Sequence, residues 1–338
     1  MIPHNKPTLG IEEEEASLRV IRSGQLAQDE EVRSFENEFC KFLNLPAGHA
    51  VALSSGSASL YLSLWALNAK GDKILFPSYA CSALSHAVKM IDGNEIIVDN
   101  AKDSVNLDLE KAKNIEHDIE IVPHMFGIPN NLENSESKYL IEDCAQSLGA
   151  KINDNYVGTH GTIGIFSFYV TKLMTSGGQG GMLVSKDKEI INKVKDYREY
   201  DFRNDKEKRF NFQMTEIQAA IGREQLKKLP RFLNRRNEIF MRYKNEGLEL
   251  LDVHDEQKNV DAVRYRAIMK TENPKKVINS LKNVGVKAII PIEEWELQGN
   301  ESTFPNAIKL CNETVSLPIY PSLTDDELDI ILSGMVSK

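Results

Sequence analysis

Cysteine is scarce in this chain and scattered where it occurs. Cys40, Cys81, Cys144 and Cys311 are the four among 338 residues, and none lies at metal-site spacing from another. That argues against a zinc cluster and a disulfide framework, and reduced thiols in a cytoplasmic protein are expected. Excess positive charge is missing too. Fifty acidic against 41 basic residues give a net charge of -9, the wrong sign for a nucleic-acid partner. The longest basic stretch, Lys227-Lys228-Leu229-Pro230-Arg231 with Arg235-Arg236, is interrupted by apolar residues at helical spacing and reads as a solvated helix face. No apolar run approaches the roughly 20 residues of a membrane helix. The opening Met1-Ile2-Pro3-His4-Asn5-Lys6 does not read as a secretion signal. Repeats and low-complexity tracts are absent.

What is present is an alternation. With 41% apolar and 27% charged residues, the chain can bury a sizeable core. One large domain (1–230) and one small domain (231–338) are expected. Helices are expected at 17–21 and 32–43. Strands are expected at 50–53, 73–76, 95–98, 119–123, 139–141, 163–168 and 181–185, with helical or loop segments between them. This rhythm predicts an α/β fold with a mostly parallel sheet and helices on both faces. Helical segments at 217–226 and 231–246 suggest a long connection bent near Pro230. The remainder reads as a smaller α+β domain, with strands at 262–269 and 287–290, a helix at 274–284, and helices near Ala307 and Asp325. The charged run 203–209 reads either as a mobile loop near a site or as plain surface.

Three segments carry chemistry. In Phe166-Ser167-Phe168-Tyr169-Val170-Thr171-Lys172, an apolar strand runs into a lysine, followed by Ser176-Gly177-Gly178-Gln179-Gly180-Gly181. Four glycines in five positions suit a loop against which a planar ligand can lie. A lysine ending a buried strand is costly unless it loses its charge, and a neutral amine is the nucleophile of Schiff-base chemistry. Locally, a solvent-facing lysine is the simpler reading. About thirty residues upstream, Tyr139-Leu140-Ile141-Glu142-Asp143 delivers a carboxylate to a strand's carboxyl end, where ligands bind in parallel sheets. Alone, Asp143 reads equally as a helix cap. Paired in this order with Lys172, it suits the protonated pyridine nitrogen of pyridoxal phosphate. The third segment, Val51-Ala52-Leu53-Ser54-Ser55-Gly56-Ser57-Ala58, is a strand, a small-residue turn and a helix start, a ready phosphate site. Any capped helix could also look this way.

Together these segments resemble the fold-type I pyridoxal-phosphate enzymes, and among them the DegT/DnrJ/EryC1/StrS sugar aminotransferases. The resemblance covers nearly the whole chain. It includes Ser23-Gly24-Gln25-Leu26-Ala27, Gly71-Asp72-Lys73-Ile74-Leu75-Phe76-Pro77, Pro123-His124-Met125-Phe126-Gly127, Asn211-Phe212-Gln213-Met214-Thr215 and Ser316-Leu317-Pro318-Ile319-Tyr320-Pro321. It implies that Lys172 bonds the cofactor and that Asp143 pairs with its ring nitrogen. Gln146 lies on the ring-hydroxyl side, while Ser167 and the turn Gly56, Ser57 and Ala58 hold the phosphate. It also implies that Asn211 reaches the phosphate site of a neighbouring subunit, making a homodimer with shared sites. His124 matches a family residue near the active site, and a buried structural role is an equal reading. Three departures stand out. Cys81 occupies the place of the usual stacking aromatic, with Tyr79 nearby; Leu148 replaces a common histidine; Gln213 replaces a common arginine. The segment Pro291-Ile292-Glu293-Glu294-Trp295-Glu296-Leu297 also stands where many relatives carry a histidine-containing loop.

The implied reaction moves an amino group from a donor, glutamate in most relatives, to a keto-sugar that is usually nucleotide-linked and used for surface glycans or secondary metabolites. Two alternatives share the fold. A sugar dehydratase would be expected to carry histidine in place of Lys172, and a cofactor-binding regulator has no need to retain Lys172, Asp143, Gln146 and Ser167 together.

Overall fold

The computed structural model describes residues 1–253, 259–299 and 303–336. In chain order the elements are α1 (Ile11–Ser23), α2 (Glu30–Phe42), β1 (Ala50–Leu53), α3 (Gly56–Ala66), β2 (Lys73–Pro77), α4 (Ala83–Met90), β3 (Asn94–Val98), α5 (Leu109–Ala112), β4 (Ile119–Pro123) and β5 (Tyr139–Asp143). The short pair β6 (Lys151–Ile152) and β7 (Asn155–Tyr156) precedes β8 (Ile163–Ser167), β9 (Gly181–Val184), α6 (Lys188–Arg198) and α7 (Glu216–Asn245). Then come β10 (Val260–Asp261), β11 (Ala267–Lys270), α8 (Pro274–Asn283), α9 (Pro305–Asn312), β12 (Thr314–Leu317) and α10 (Asp325–Val336).

Seven strands form the central sheet in the order β1-β9-β8-β5-β4-β2-β3. The pairs from β8 through β3 are parallel, and β9 runs antiparallel to both its neighbours. Every residue of β1, β4 and β9 is buried, because helices cover both faces of the sheet. Strands covered in this way read as largely apolar runs, most plainly β1 and β9; all seven strands of the sheet were expected from sequence. The register sets Pro123 beside Asp143, and Asp143 beside Ile165 two residues before Ser167. The carboxyl ends of β4, β5 and β8 therefore form one edge.

An aromatic cluster fixes β8 beneath α2. Phe39 meets Phe166 at 5.0 Å between ring centroids, and Phe35 meets Phe168 at 5.3 Å; all four are buried. The start of α2 is held by Glu216 of α7, whose carboxylate accepts the N–H groups of Asp29, Glu31 and Val32 at 2.7 to 3.0 Å. A negative charge is favourable at a helix N-terminus.

The connection expected to bend at Pro230 is one 30-residue helix, α7. Its buried Leu226, Leu229 and Phe232 pack on both sides of the proline, and this burial offsets the lost backbone bond. Its basic face is less solvated than the sequence implied. Lys228 pairs with Glu12 and Glu13. Arg236 is fully buried and donates Nη1 to the carbonyls of Arg264, Tyr265 and Ile319.

In the C-terminal part, strand β11 is shorter than expected because residues 262–266 leave the ladder. The expected strand 287–290 reduces to isolated bridges at Val286 and Ile289, while β12 supplies the partner of β11. The charged run 203–209 is tied down by ion pairs from Arg203 and Arg209 to Asp196 and Asp205.

Phe39→Ala removes a ring buried between α2 and β8, and should cost about 3–5 kcal/mol of folding stability, measured by urea unfolding. A cost below about 1 kcal/mol would show that the cluster does not hold β8 in place.

Candidate active site

Two adjoining cavities open at the carboxyl edge of the sheet. The inner one, about 220 Å³, is lined by Gly56, Ser57, Asp143, Gln146, Ser167 and Lys172 among others. The outer one, about 640 Å³, shares Cys81, Gln146, Tyr169 and Lys172 with it.

Each side chain in the inner cavity is placed by its backbone. Asp143 ends β5, buried, with Oδ1 accepting the Ala145 N–H at 3.0 Å. Burial pushes its pKa up, against the opposing influence of that N–H, Lys172 and His124. A buried carboxylate with one oxygen left to the cavity suits a cationic N–H partner. Gln146 is oriented through Oε1, which accepts the Phe126 N–H at 2.8 Å, so its NH₂ has no partner among the described residues. Phe126 adopts a left-handed conformation at φ 56° to make that contact, a strain characteristic of functional loops.

The turn expected to hold a phosphate shows the same fit. Ser55 caps α3 by accepting the Ala58 N–H at 3.1 Å, so Ala58 is spent on the cap and does not reach the cavity. The N–H groups of Gly56 and Ser57 have no partner among the described residues. Ser167 stands opposite, and a Cβ on Gly56 would lie 2.8 Å from the Ser167 Cβ; only glycine leaves this cradle open. An anion binds naturally between exposed first-turn amides and a serine hydroxyl.

Lys172 sits in a turn beyond β8 rather than at its end, half-buried, with Nζ 5.3 Å from the centre of the Tyr265 ring. Burial would push the Tyr265 phenol up, but Lys172, Arg266, a bond to Thr171 and Arg236 outweigh it and bring it down to about 8. The glycines after Lys172 serve the fold more than the ligand. Gly177 and Gly178 take positive φ, Gly181 packs against the Ser55 backbone, and Gln179 is the residue of that stretch that reaches the cavity.

Other expected residues fall differently. Tyr79 lies in the core, buried edge-on against Phe126 at 6.1 Å, and lines neither cavity. Residues two apart would share a face in a strand; here the chain bends at 78–80, so Tyr79 turns inward while Cys81 is exposed and lines both cavities. Tyr169 is the one aromatic among the residues lining the inner cavity. His124 is structural: its Nδ1 accepts the Asn130 N–H at 3.0 Å and its Nε2 donates to Glu142 at 3.2 Å. His124, Glu142 and Cys144 bring ligand-type atoms within 4.8 Å of one another. The histidine has no free lone pair, however, and the carboxylate already accepts the N–H groups of Gly158, His160 and Gly161. Asn211 is exposed and accepts the Gln213 N–H at 3.0 Å. Its neighbour Phe212 accepts the Ser54 N–H, so this segment runs beside its own chain's turn into α3, although Asn211 lines neither cavity.

Sequence reasoning missed Ser55, Tyr169, Gln179, Tyr265 and Arg266. The Ser54-Ser55 doublet and the position of Tyr169 near Lys172 were usable signals. Tyr265 and Arg266, nearly a hundred residues from Lys172, had none. They line the outer cavity with Trp295, Glu296 and Gln298. The N-terminal segment braces this wall. Asn5 Nδ2 donates to the Thr171 carbonyl at 2.7 Å, and His4 Nε2 meets Ser316 Oγ at 2.8 Å and Arg266 Nη1 at 3.2 Å.

The DegT/DnrJ/EryC1/StrS aminotransferase family matches residues 7–336, and the chain belongs to it. Its members use pyridoxal phosphate. An uncharacterised protein of Methanocaldococcus jannaschii is 30% identical, the match covering 98% of this chain and 96% of that protein. A GDP-perosamine synthase of Escherichia coli O157:H7 is 27% identical over 99% and 97% of the two chains. The crystal structure of the aminotransferase TlmJ from Streptoalloteichus hindustanus, 24% identical, superposes with a TM-score of 0.91 over 99% and 98% of the two chains, a likeness of fold. The protein is thus a fold-type I aminotransferase of the sugar-modifying kind. No helix among the described residues is long and apolar enough to cross a membrane.

His4 supplies a pH test. Burial, then the charges of Arg266, Lys287 and Arg236, lower its pKa from 6.5 to about 3. The unfolded chain takes up this proton first. The stability it reports is therefore complete above pH 6.5 and falls as pH drops towards 3, by at most about 1.4 kcal/mol per unit. Thermal melts from pH 7 to 4 should show a shallower loss in His4→Gln than in the wild type; parallel curves would mean that His4 is not held neutral.

Proposed function

We propose that the protein transfers an amino group from glutamate to a keto-sugar, nucleotide-linked, in the synthesis of surface glycans or secondary metabolites. It would act as a cytoplasmic homodimer. The observation that carries this reading is the convergence of Lys172, Asp143 and the Gly56–Ser57 turn on one cavity that opens into a larger one. The perosamine synthase similarity supports a sugar acceptor.

Pyridoxal phosphate, when bound, supplies the electron sink that makes the substrate's C–H bond labile. The Gly56 and Ser57 amides and Ser167 Oγ hold its phosphate. Asp143 would keep a proton on its ring nitrogen, and the unpartnered Gln146 NH₂ would be the donor for the ring hydroxyl. Lys172 Nζ, in reach of both cavities, would hold the cofactor covalently and, when displaced by an amine, would serve as the base and then the acid for the proton of the substrate carbon. The outer cavity gives donor and acceptor access to the same nitrogen in turn.

Lys172→Ala should lose the near-visible absorbance of the loaded enzyme and all transfer, while cofactor is still retained through its phosphate. Turnover at the wild-type rate would remove Lys172 from the mechanism. Asp143→Asn, nearly isosteric, should slow transfer by at least 100-fold, or about 2.7 kcal/mol of barrier. A loss under tenfold would mean that another group protonates the ring. An absorbance band that bleaches with glutamate separates catalysis from mere cofactor binding.

Asn211 is proposed to reach the partner subunit's phosphate site, coupling cofactor binding to assembly. Mixing Lys172→Ala subunits with subunits carrying Asn211→Ala should then restore part of the activity, since one site of the heterodimer has both residues. Heterodimers without activity would assign Asn211 to its own subunit or to no role.

A further inference from the structure

The outer cavity holds an arginine without a counter-charge. Among the described residues, nine arginines pair with a carboxylate: Arg19, Arg33, Arg198, Arg203, Arg209, Arg223, Arg235, Arg242 and Arg264. Arg266, half-buried in the cavity wall, pairs with none among the described residues. Only Nη1 is engaged, with His4 Nε2 at 3.2 Å and Ser316 Oγ at 3.3 Å. Its Nε and Nη2 have no partner there, and neither is a sealed, unsatisfied atom of the core. The carboxylate in the same wall, Glu296, spends Oε2 on the Glu293 N–H at 2.9 Å. In a chain of net charge -9, this leaves a locally cationic cavity between Lys172 and Arg266.

The two cations share a platform. Lys172 Nζ lies 5.3 Å and the Arg266 guanidinium 5.4 Å from the centre of the same Tyr265 ring. An incoming amine must replace Lys172 Nζ, so a carboxylate carried on the same small molecule comes within reach of Arg266. A planar guanidinium with its Nε–Nη2 edge free favours a carboxylate over a neutral hydroxyl. The neutral His4 accepts from Nη1 and keeps the side chain turned without competing for the anion.

We propose that Arg266 anchors a carboxylate of the amino donor, with His4 and Ser316 as positioning residues. This deepens the aminotransferase reading and rests on it. It also assigns the donor's selection to this chain's own C-terminal part.

The test uses the cofactor-loaded enzyme and two probes. Glutamate is followed by loss of the cofactor band, and maleate, a dicarboxylate that cannot react, is followed by calorimetry. Arg266→Gln should keep the band, lose at least 100-fold in kcat/KM for glutamate chiefly through KM, and weaken maleate binding at least 30-fold; Arg266→Lys should recover part of both. The inference is overturned if Arg266→Gln reacts with glutamate and binds maleate within threefold of the wild type. It is also overturned if the wild type binds no maleate, or if the loss appears only in the acceptor half-reaction, which would make Arg266 a phosphate contact. If wild-type enzyme binds maleate through Arg266 but glutamate leaves the band intact, the anion site stands and the glutamate-transfer reading falls.

Discussion

The carboxylate of Glu142 is the fixed point of this site. It is fully buried and accepts four N–H groups: those of Gly158, His160 and Gly161, and Nε2 of His124. Burial alone would raise its pKa, yet these partners bring it below the ordinary value. A buried carboxylate so fully paired stabilises one geometry strongly, because breaking any contact leaves charge unsatisfied. It joins β5 to the turn after β7 and to the end of β4. Asp143, the next residue on the strand, faces the other side of the sheet and inherits that rigidity. The pair divides the work: one carboxylate is saturated for structure, and its neighbour has an oxygen left for chemistry.

Much of this was legible in the sequence, for identifiable reasons. Strands covered on both faces must be largely apolar, so β1 and β9 declare themselves, and β4 does so apart from its buried Glu120. Asp143 and Ser167 break such runs at their carboxyl ends, where polar side chains have a use. The Gly56 turn shows through its small residues. Each of these signals is local.

What sequence missed depends on contacts between distant segments. Continuity of α7 through Pro230 depends on packing around Leu229 and Phe232. Burial of Arg236 depends on three carbonyls that converge only after folding, and nothing beside it in the chain distinguishes it from the exposed Arg231. The opposite orientations of Tyr79 and Cys81 follow from where Phe126 lies. Tyr265 and Arg266 belong to a stretch that looks like a strand and leaves the ladder to form a wall.

That wall is held at several points. Val260 and Asp261 are zipped to Ile152 and Lys151, the Val263 N–H donates to the Gly127 carbonyl at 2.9 Å, and Arg236 grips the carbonyls of Arg264 and Tyr265. A stretch so tied keeps Tyr265 and Arg266 in place, so this wall of the outer cavity works as a fixed gauge. Changing what that cavity admits is then a matter of recutting side chains such as Tyr265, with little to gain from loosening a hinge.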